Sequence, residues 1–196
     1  DPKKDWPYEG DWIQTYWESR RHPHRQLILG ALETLRPVES ILEIGCNIGP
    51  NLALIKERFH DTELAGLDVN RTAIRRAEKL LPGIDLRVAD AVKLPFRNNA
   101  FDIVLVDAVL IYVPPENIMQ IVMEMDRVAR RAILLFEWYD PRSILGTIKD
   151  FHWARNYTRL LKKVGFKGSM FKLSDEIWPS KIWKKNGRFY MFLRKS

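Results

Sequence analysis

The feature that most constrains the fold is a short apolar strand that runs directly into a glycine-containing turn. Residues 40–44 are predicted to form the strand, residues 45–50 the turn and residues 51–59 a helix. Because glycine lacks a Cβ and reaches backbone conformations that other residues avoid, a ligand can approach the main chain closely at such a turn. The N–H groups at the start of the following helix favour a negatively charged group. The segment therefore predicts a ligand-binding turn.

Strand-like and helix-like stretches alternate along the rest of the chain, which is typical of an α/β domain with a parallel sheet. Further strands are predicted at residues 64–68, 84–89, 101–106, 132–137, 166–173 and 188–194, and further helices at 71–81, 114–129 and 149–164. We therefore predict a doubly wound, mostly parallel seven-stranded sheet with helices on both faces and a C-terminal antiparallel hairpin. Residues 1–196 are expected to form one domain, with a helical lid at 1–36 and a Rossmann-like core at 37–196.

Composition and charge narrow the class of protein. The single cysteine, Cys46, excludes an intramolecular disulfide and a thiolate metal cluster within one chain, and we expect no metal. No apolar run is long enough to cross a bilayer, and the first residues lack the apolar core of a signal peptide, so we expect a cytoplasmic protein without a membrane contact. From Pro141 onward the chain holds 14 Lys and Arg residues against 3 Asp and Glu residues. Such an excess of positive charge is typical of a face that meets an anionic partner, and it is also found on ordinary solvated surfaces.

The residues around the turn have the spacing E-x-G-x-x-x-G, formed by Glu43, Gly45 and Gly49. The third glycine of the dinucleotide fingerprint G-x-G-x-x-G is absent, which disfavours a dinucleotide oxidoreductase. At this point the sequence resembles the class I S-adenosylmethionine (SAM)-dependent methyltransferase family, whose first motif is an acidic residue followed by G-x-G-x-G. Asn47 stands where that family has its middle glycine.

Later positions match the same family in the same order. Asp68 ends the second predicted strand and Asp90 follows the third. The later motifs of the family are similar to Leu94-Pro95-Phe96, Phe101-Asp102-Ile103-Val104 and residues 161–166. The resemblance implies SAM as cofactor and S-adenosylhomocysteine (SAH) as product, with Asp68 on the ribose hydroxyls and Asp90 on the adenine amino group. The cofactor-binding residues that it implies are Glu43, Gly45, Cys46, Asn47, Gly49, Asn51, Asp68, Val69, Asp90, Ala91 and Asp107.

The acceptor side is expected beyond the carboxyl ends of the fourth and fifth strands, where ligands of open α/β sheets bind. We predict Tyr112, Glu137 and His152 as catalytic residues, through orientation of the acceptor or removal of a proton. The segment Tyr8–His24 is predicted to cover the site as a lid. The predicted substrate-binding residues are Trp12, Tyr16, Tyr112, Trp138 and Tyr139.

These patterns predict methyl transfer to an oxygen or nitrogen atom of a small-molecule acceptor. Two alternatives stay open: a tRNA, rRNA or protein methyltransferase, prompted by the basic C-terminal quarter with its aromatic residues, and a non-catalytic SAM-binding scaffold subunit. Against a base-amino methyltransferase, Asp107-Ala108-Val109-Leu110 is not the D/N-P-P-Y/F segment of such relatives. The protein is expected to be a monomer or a homodimer.

Overall fold

The computed structural model describes residues 12–149 and 152–194, and it contains a seven-stranded sheet and a separate two-stranded ribbon. The strands are β1 (Ser40–Ile44), β2 (Glu63–Asp68), β3 (Asp85–Val88), β4 (Phe101–Asp107), β5 (Ala129–Trp138), β6 (Thr147–Lys149), β7 (His152–Ala154), β8 (Phe166–Lys172) and β9 (Gly187–Arg194). The helices are α1 (Trp12–Glu18), α2 (His24–Thr34), α3 (Pro50–Arg58), α4 (Arg71–Leu80), α5 (Pro115–Val128), α6 (Tyr157–Lys162) and α7 (Lys181–Asn186), with 3₁₀ turns at Ser19–Arg21 and Leu110–Tyr112.

The large sheet has the strand order β3-β2-β1-β4-β5-β9-β8. Strands β1 to β5 pair in parallel, while β9 pairs antiparallel with both β5 and β8. The predicted doubly wound sheet with a C-terminal antiparallel hairpin is therefore confirmed. The strand order reverses between β1 and β4, and a ligand crevice opens outside the carboxyl ends of the strands at such a switch point.

Side chains of the central strands alternate between two apolar layers. In β4, Val104 and Val106 pack on the layer that contains α5 and α6, whereas Ile103 and Leu105 pack on the layer that contains α2, α3 and α4. All four of these side chains are buried, as expected for a parallel strand covered on both faces. The pairing order β2-β1-β4 places the carboxyl ends of these three strands next to each other.

The predicted helix over 149–164 is wrong in its first half. Residues 147–149 and 152–154 form the antiparallel ribbon β6–β7, and only Tyr157–Lys162 is helical. Tertiary contacts explain the difference, because Arg155 is fully buried and donates to the carbonyl oxygens of Leu145, Leu110 and Val113. Its own backbone N–H donates to the Trp138 carbonyl, so the segment is tied to the end of β5 rather than to itself. The short helix α7 was not predicted.

Within the described residues no helix is both long and apolar enough to cross a bilayer.

Candidate cofactor and acceptor site

The turn after β1 is built from three residues with positive φ. Gly45, Asn47 and Gly49 have φ of 74°, 51° and 81°. A Cβ on Gly45 would lie 2.3 Å from Val109 Cγ2, so glycine is required there by both conformation and space. Asn47 replaces the family's glycine without disturbing the turn, since asparagine tolerates the left-handed region and its Oδ1 accepts from the Ile48 N–H at 2.8 Å.

A cleft lies beside this turn, at the carboxyl ends of β1, β2 and β4. Asp68 at the end of β2 accepts from the backbone N–H of Asn47 and of Asn70, at 2.9 and 2.8 Å, and so fixes both flanking loops. Burial raises the pKa of Asp68 above its usual range. The predicted cofactor residues that line the cleft are Gly45, Asp68, Val69, Asp90 and Ala91, together with Ile44, Leu67, Ala89, Val92, Ala108, Val109, Tyr112, Val113, Pro114, Asn117 and Ile121. We call this the cofactor cleft.

Two buried carboxylates lie directly behind the cofactor cleft and share one amide. Asn51 Nδ2 donates to Glu43 Oε1 at 2.7 Å and to Asp107 Oδ2 at 3.0 Å. His24 Nε2 and Arg25 Nη1 also bond to Asp107 Oδ2, at 2.9 and 3.2 Å, and Arg25 donates to Asn51 Oδ1. The second oxygens, Glu43 Oε2 and Asp107 Oδ1, are buried and have no hydrogen-bond partner among the described residues.

The pKa values of the two carboxylates are shifted in opposite directions. Burial raises the pKa of Glu43 to about 8, although the Asn51 hydrogen bond lowers it in part. Burial would raise the pKa of Asp107 as well, but His24 and Arg25 outweigh it and hold that pKa well below its usual range. Asp107 is therefore a fixed negative charge, whereas Glu43 changes its charge near neutral pH.

A second cleft, of about 420 Å³, adjoins the first and is largely aromatic. Its walls are Tyr16, Ala108, Ile111, Tyr112, Trp138, His152, Trp178, Ser180, Ile182 and Trp183, and we call it the aromatic cleft. Ala108 and Tyr112 line both clefts, so the two cavities share a wall. Ala108 has φ of 58°, a conformation that costs a non-glycine residue about 1–2 kcal/mol and often marks a functional site.

The three predicted catalytic residues occupy different environments. The rings of Tyr112 and Trp138 lie 4.9 and 4.8 Å from the ring of His152, so all three meet in the aromatic cleft. Glu137 is fully buried and accepts the backbone N–H groups of Val109, Leu110 and Ile111 at 2.8–3.0 Å. It thereby orients the loop after β4, whereas the other two predicted catalytic residues, Tyr112 and His152, line the aromatic cleft.

The remaining predicted residues lie outside the clefts. Trp12 packs edge-on against Tyr16, with ring centroids 6.3 Å apart, and does not line the aromatic cleft. Tyr139 does not line it either, and the Arg188 guanidinium lies over its ring at 5.5 Å. The thiol of Cys46 is buried in the core. Residues 8–11 of the predicted lid lie outside the described residues.

Two groups of contacts near the clefts were not predicted from the sequence. Trp178 and Trp183 stack at 3.8 Å with a 9° interplanar angle and form one wall of the aromatic cleft, although their basic neighbourhood suggested nucleic-acid contact. His24 and Arg25, which were not predicted as site residues, are bonded to Asp107. No pattern in the sequence signals these contacts, which join α2 to β4.

No group of three or more His, Cys, Asp or Glu side chains in the described part of the chain could hold a metal ion.

Comparison with known protein families identifies a methyltransferase domain over residues 41–132. A phthiotriol/phenolphthiotriol dimycocerosates methyltransferase of Mycobacterium ulcerans is 33% identical over 108 residues, which are 52% of this chain and 40% of that protein. Cycloartenol-C-24-methyltransferase of Arabidopsis thaliana is 35% identical over 91 residues, 43% of this chain and 26% of that protein. The matches thus span less than half the length of these relatives. The family resemblance of the sequence is confirmed over residues 41–132.

Solved structures share the fold over almost the whole chain. Magnesium protoporphyrin IX methyltransferase of Synechocystis PCC 6803, with bound SAH, has a TM-score of 0.70 at 13% identity and covers 97% of this chain and 90% of its own. Phosphoethanolamine N-methyltransferase 2 of Haemonchus contortus, in complex with SAM, has a TM-score of 0.67 at 15% identity, with 87% and 53% coverage. These likenesses establish that the seven-stranded sheet is the class I methyltransferase fold.

Proposed function

We propose that this chain is a SAM-dependent methyltransferase that transfers a methyl group to an oxygen or nitrogen atom of a small-molecule acceptor. The observation that carries the proposal is that the cofactor cleft and the aromatic cleft adjoin each other and share a wall at Ala108 and Tyr112. The cofactor cleft lies at the switch point of the sheet and has polar residues in its lining. A donor in the first cleft and an acceptor in the second would meet at that wall.

The residues of the cofactor cleft and the two carboxylates behind it fit SAM at three points. Asp68 supplies a carboxylate at the end of β2, where it can accept the ribose hydroxyls. The half-buried Asp90 and the apolar Ala91 and Ile121 line a position suited to the adenine ring. The buried oxygens Glu43 Oε2 and Asp107 Oδ1, which lack a partner among the described residues, suit the ammonium group of the methionine part, because a buried charge requires an opposite partner.

When bound, SAM supplies a methyl group on a sulfonium, which is a good leaving group. The chain then has to align the acceptor, exclude water and, for a hydroxyl acceptor, take up a proton. Tyr112 lines both clefts, and we assign it to orient the acceptor atom. His152 lies against Tyr112 and Trp138 and is the residue that we assign to hold the proton.

The lining of the aromatic cleft favours a small molecule over a nucleic acid. Its described lining residues include no Lys or Arg, whereas nucleic-acid sites depend on basic side chains that contact phosphates. The relatives and structural neighbours also carry the names of small molecules, namely phthiotriol dimycocerosates, cycloartenol, magnesium protoporphyrin and phosphoethanolamine. These names support a small molecule as the acceptor.

Calorimetric titration tests the cofactor assignment. SAM and SAH are titrated into the wild-type protein and Asp68→Asn, with NAD as control ligand and Asp61→Asn as control variant, since Asp61 is exposed and lines neither cleft. We expect micromolar affinity for SAM and SAH, at least about tenfold weaker in Asp68→Asn, because hydrogen bonds to a charged group contribute roughly 1.5–3 kcal/mol. Folded protein that binds neither adenosyl ligand would refute the proposal.

A further inference from the structure

We propose that the aromatic cleft binds a flat, uncharged aromatic molecule that carries a hydroxyl group. Its role as the methyl acceptor depends on the proposed function, but its binding does not. Three observations carry the assignment, namely the planar walls of the cleft, the absence of charged side chains among its described lining residues, and a buried indole N–H that finds no acceptor in the described part of the chain.

The walls of the cleft offer broad aromatic surfaces. Trp178 and Trp183 are almost parallel in their stack, and Trp183 meets Trp138 edge to face with centroids 6.0 Å apart. The His152 ring also lies close to Trp138, with ring centroids 4.8 Å apart. Aromatic rings favour offset stacked or edge-to-face neighbours, so a flat ring system suits these surfaces better than a branched aliphatic one. The indole pair also gives a large contact area at low conformational cost.

The charge of the ligand follows from the lining. The described walls contain Tyr, Trp, His, Ala, Ile and Ser residues and no Asp, Glu, Lys or Arg. A charged ligand would lose its hydration without an ionic partner, which is costly. A cationic amine would gain cation–π contacts from the same rings, but it would leave the Trp138 N–H without an acceptor. The exposed Ile182 at the rim adds a further apolar contact.

The hydroxyl group is assigned from Trp138. Its side chain is 3% exposed, and its Nε1 is buried without a hydrogen-bond partner among the described residues. Buried donors are almost always satisfied, so an unsatisfied one in the wall of a cleft points to a ligand oxygen. Because the His152 ring packs on Trp138, a hydroxyl oxygen held by the indole lies near the imidazole that we assign to take its proton.

Equilibrium dialysis of the full chain tests this with 2-naphthol, naphthalene and choline as probes. We expect the wild-type protein to bind 2-naphthol about fivefold more tightly than naphthalene, as one neutral hydrogen bond allows, and to bind choline more weakly than either. In Trp138→Phe the preference for 2-naphthol over naphthalene should fall to about one, while naphthalene still binds. Trp183→Ala should weaken both aromatic probes, and Met123→Ala, on the exposed side of α5, should change neither.

The outcomes separate the two proposals. A preference for 2-naphthol that persists in Trp138→Phe, or tighter binding of choline than of 2-naphthol, would overturn the assignment. Retained naphthalene binding in Trp138→Phe shows that the cleft is intact, so misfolding cannot explain the loss. SAH affinity, measured on the same variants, should be unchanged. Failure of SAH to bind would remove the methyltransferase function, whereas the dialysis result decides the ligand of the cleft on its own.

Discussion

The substitution Glu43→Gln tests the electrostatics of the buried group behind the cofactor cleft. Glu43 is 2% exposed, Asn51 satisfies its Oε1, and its Oε2 has no partner among the described residues. Glutamine has nearly the same shape and keeps an oxygen for the Asn51 amide, but it cannot be charged. The variant therefore removes the ionisation of Glu43 and little else.

The magnitude follows from the pKa of Glu43, which burial raises from 4.5 to about 8. At 1.36 kcal/mol per pH unit, this difference corresponds to about 5 kcal/mol. Below pH 4.5 the carboxyl is protonated in the folded and unfolded chains alike, and its full contribution to stability is present. As the pH rises toward 8 the unfolded chain ionises first, so that contribution is lost, and the loss levels off above pH 8. Glu43→Gln does not undergo this loss.

Urea denaturation at pH 5, 7 and 8.5 measures the effect. We expect the free energy of unfolding of Glu43→Gln, relative to wild type, to increase by several kcal/mol from pH 5 to pH 8.5. Glu39→Gln is the matched control, since the Glu39 side chain is 81% exposed, and it should show no such trend. A difference between Glu43→Gln and wild type that is the same at all three pH values would refute the reasoning.

The same variant should act in the opposite direction on the cofactor. If the SAM ammonium pairs with ionised Glu43, binding releases a proton, and SAH affinity of the wild type rises between pH 6 and 8, by up to about tenfold per pH unit. In Glu43→Gln the affinity should be lower and should not follow this rise. Calorimetry in buffers with different ionisation enthalpies counts the protons released, and equal proton release in both proteins would exclude Glu43 as the source.

Two further substitutions test the local architecture by urea denaturation. Gly45→Ala combines a positive φ with a contact of 2.3 Å to Val109, and it should lower the free energy of unfolding by about 3 kcal/mol or more. Gly83 also has a positive φ but has open space around it, so Gly83→Ala should lower that free energy by only about 1–2 kcal/mol. Equal losses in the two variants would contradict the clash with Val109. Arg155→Met leaves three carbonyl groups without their buried donor and should lower the free energy of unfolding by at least about 3 kcal/mol. Arg159 is exposed, so Arg159→Met should lower it by about 0.5 kcal/mol or less. A small effect at both positions would show that the Arg155 guanidinium does not anchor the β6–β7 ribbon.

The cofactor side of the site could be predicted from the sequence because its residues follow strand ends at short, regular spacing. Gly45, Asp68 and Asp90 each lie at or just after a strand, and parallel strands end at one edge of the sheet. Local sequence therefore determines both the turn at Gly45 and the positions of Asp68 and Asp90 beside it. Even Asn47, in place of a glycine, is explained by local conformation, since asparagine adopts the positive φ that the turn requires.

The acceptor side could not be predicted in the same way, because its residues come from segments that only tertiary packing brings together. Tyr16 from α1, Trp138 from β5 and Trp183 from α7 meet across more than 160 positions of the chain. The ribbon β6–β7, which carries His152, was predicted as helix because its apolar pattern alone could not reveal the buried hydrogen bonds of Arg155. Periodicity reports local structure and carries no information about such distant partners.

The α/β class, the motif order along the parallel strands and the turn at which a cofactor is expected follow from the amino-acid sequence alone, since all three depend on hydrophobic periodicity and on glycine at short range. Tertiary packing was needed to show that His24 and Arg25 are bonded to Asp107, that Glu137 orients a loop, and that an aromatic cleft shares a wall with the cofactor cleft. Those facts depend on which buried polar groups find partners across elements, and burial is a property of the whole fold.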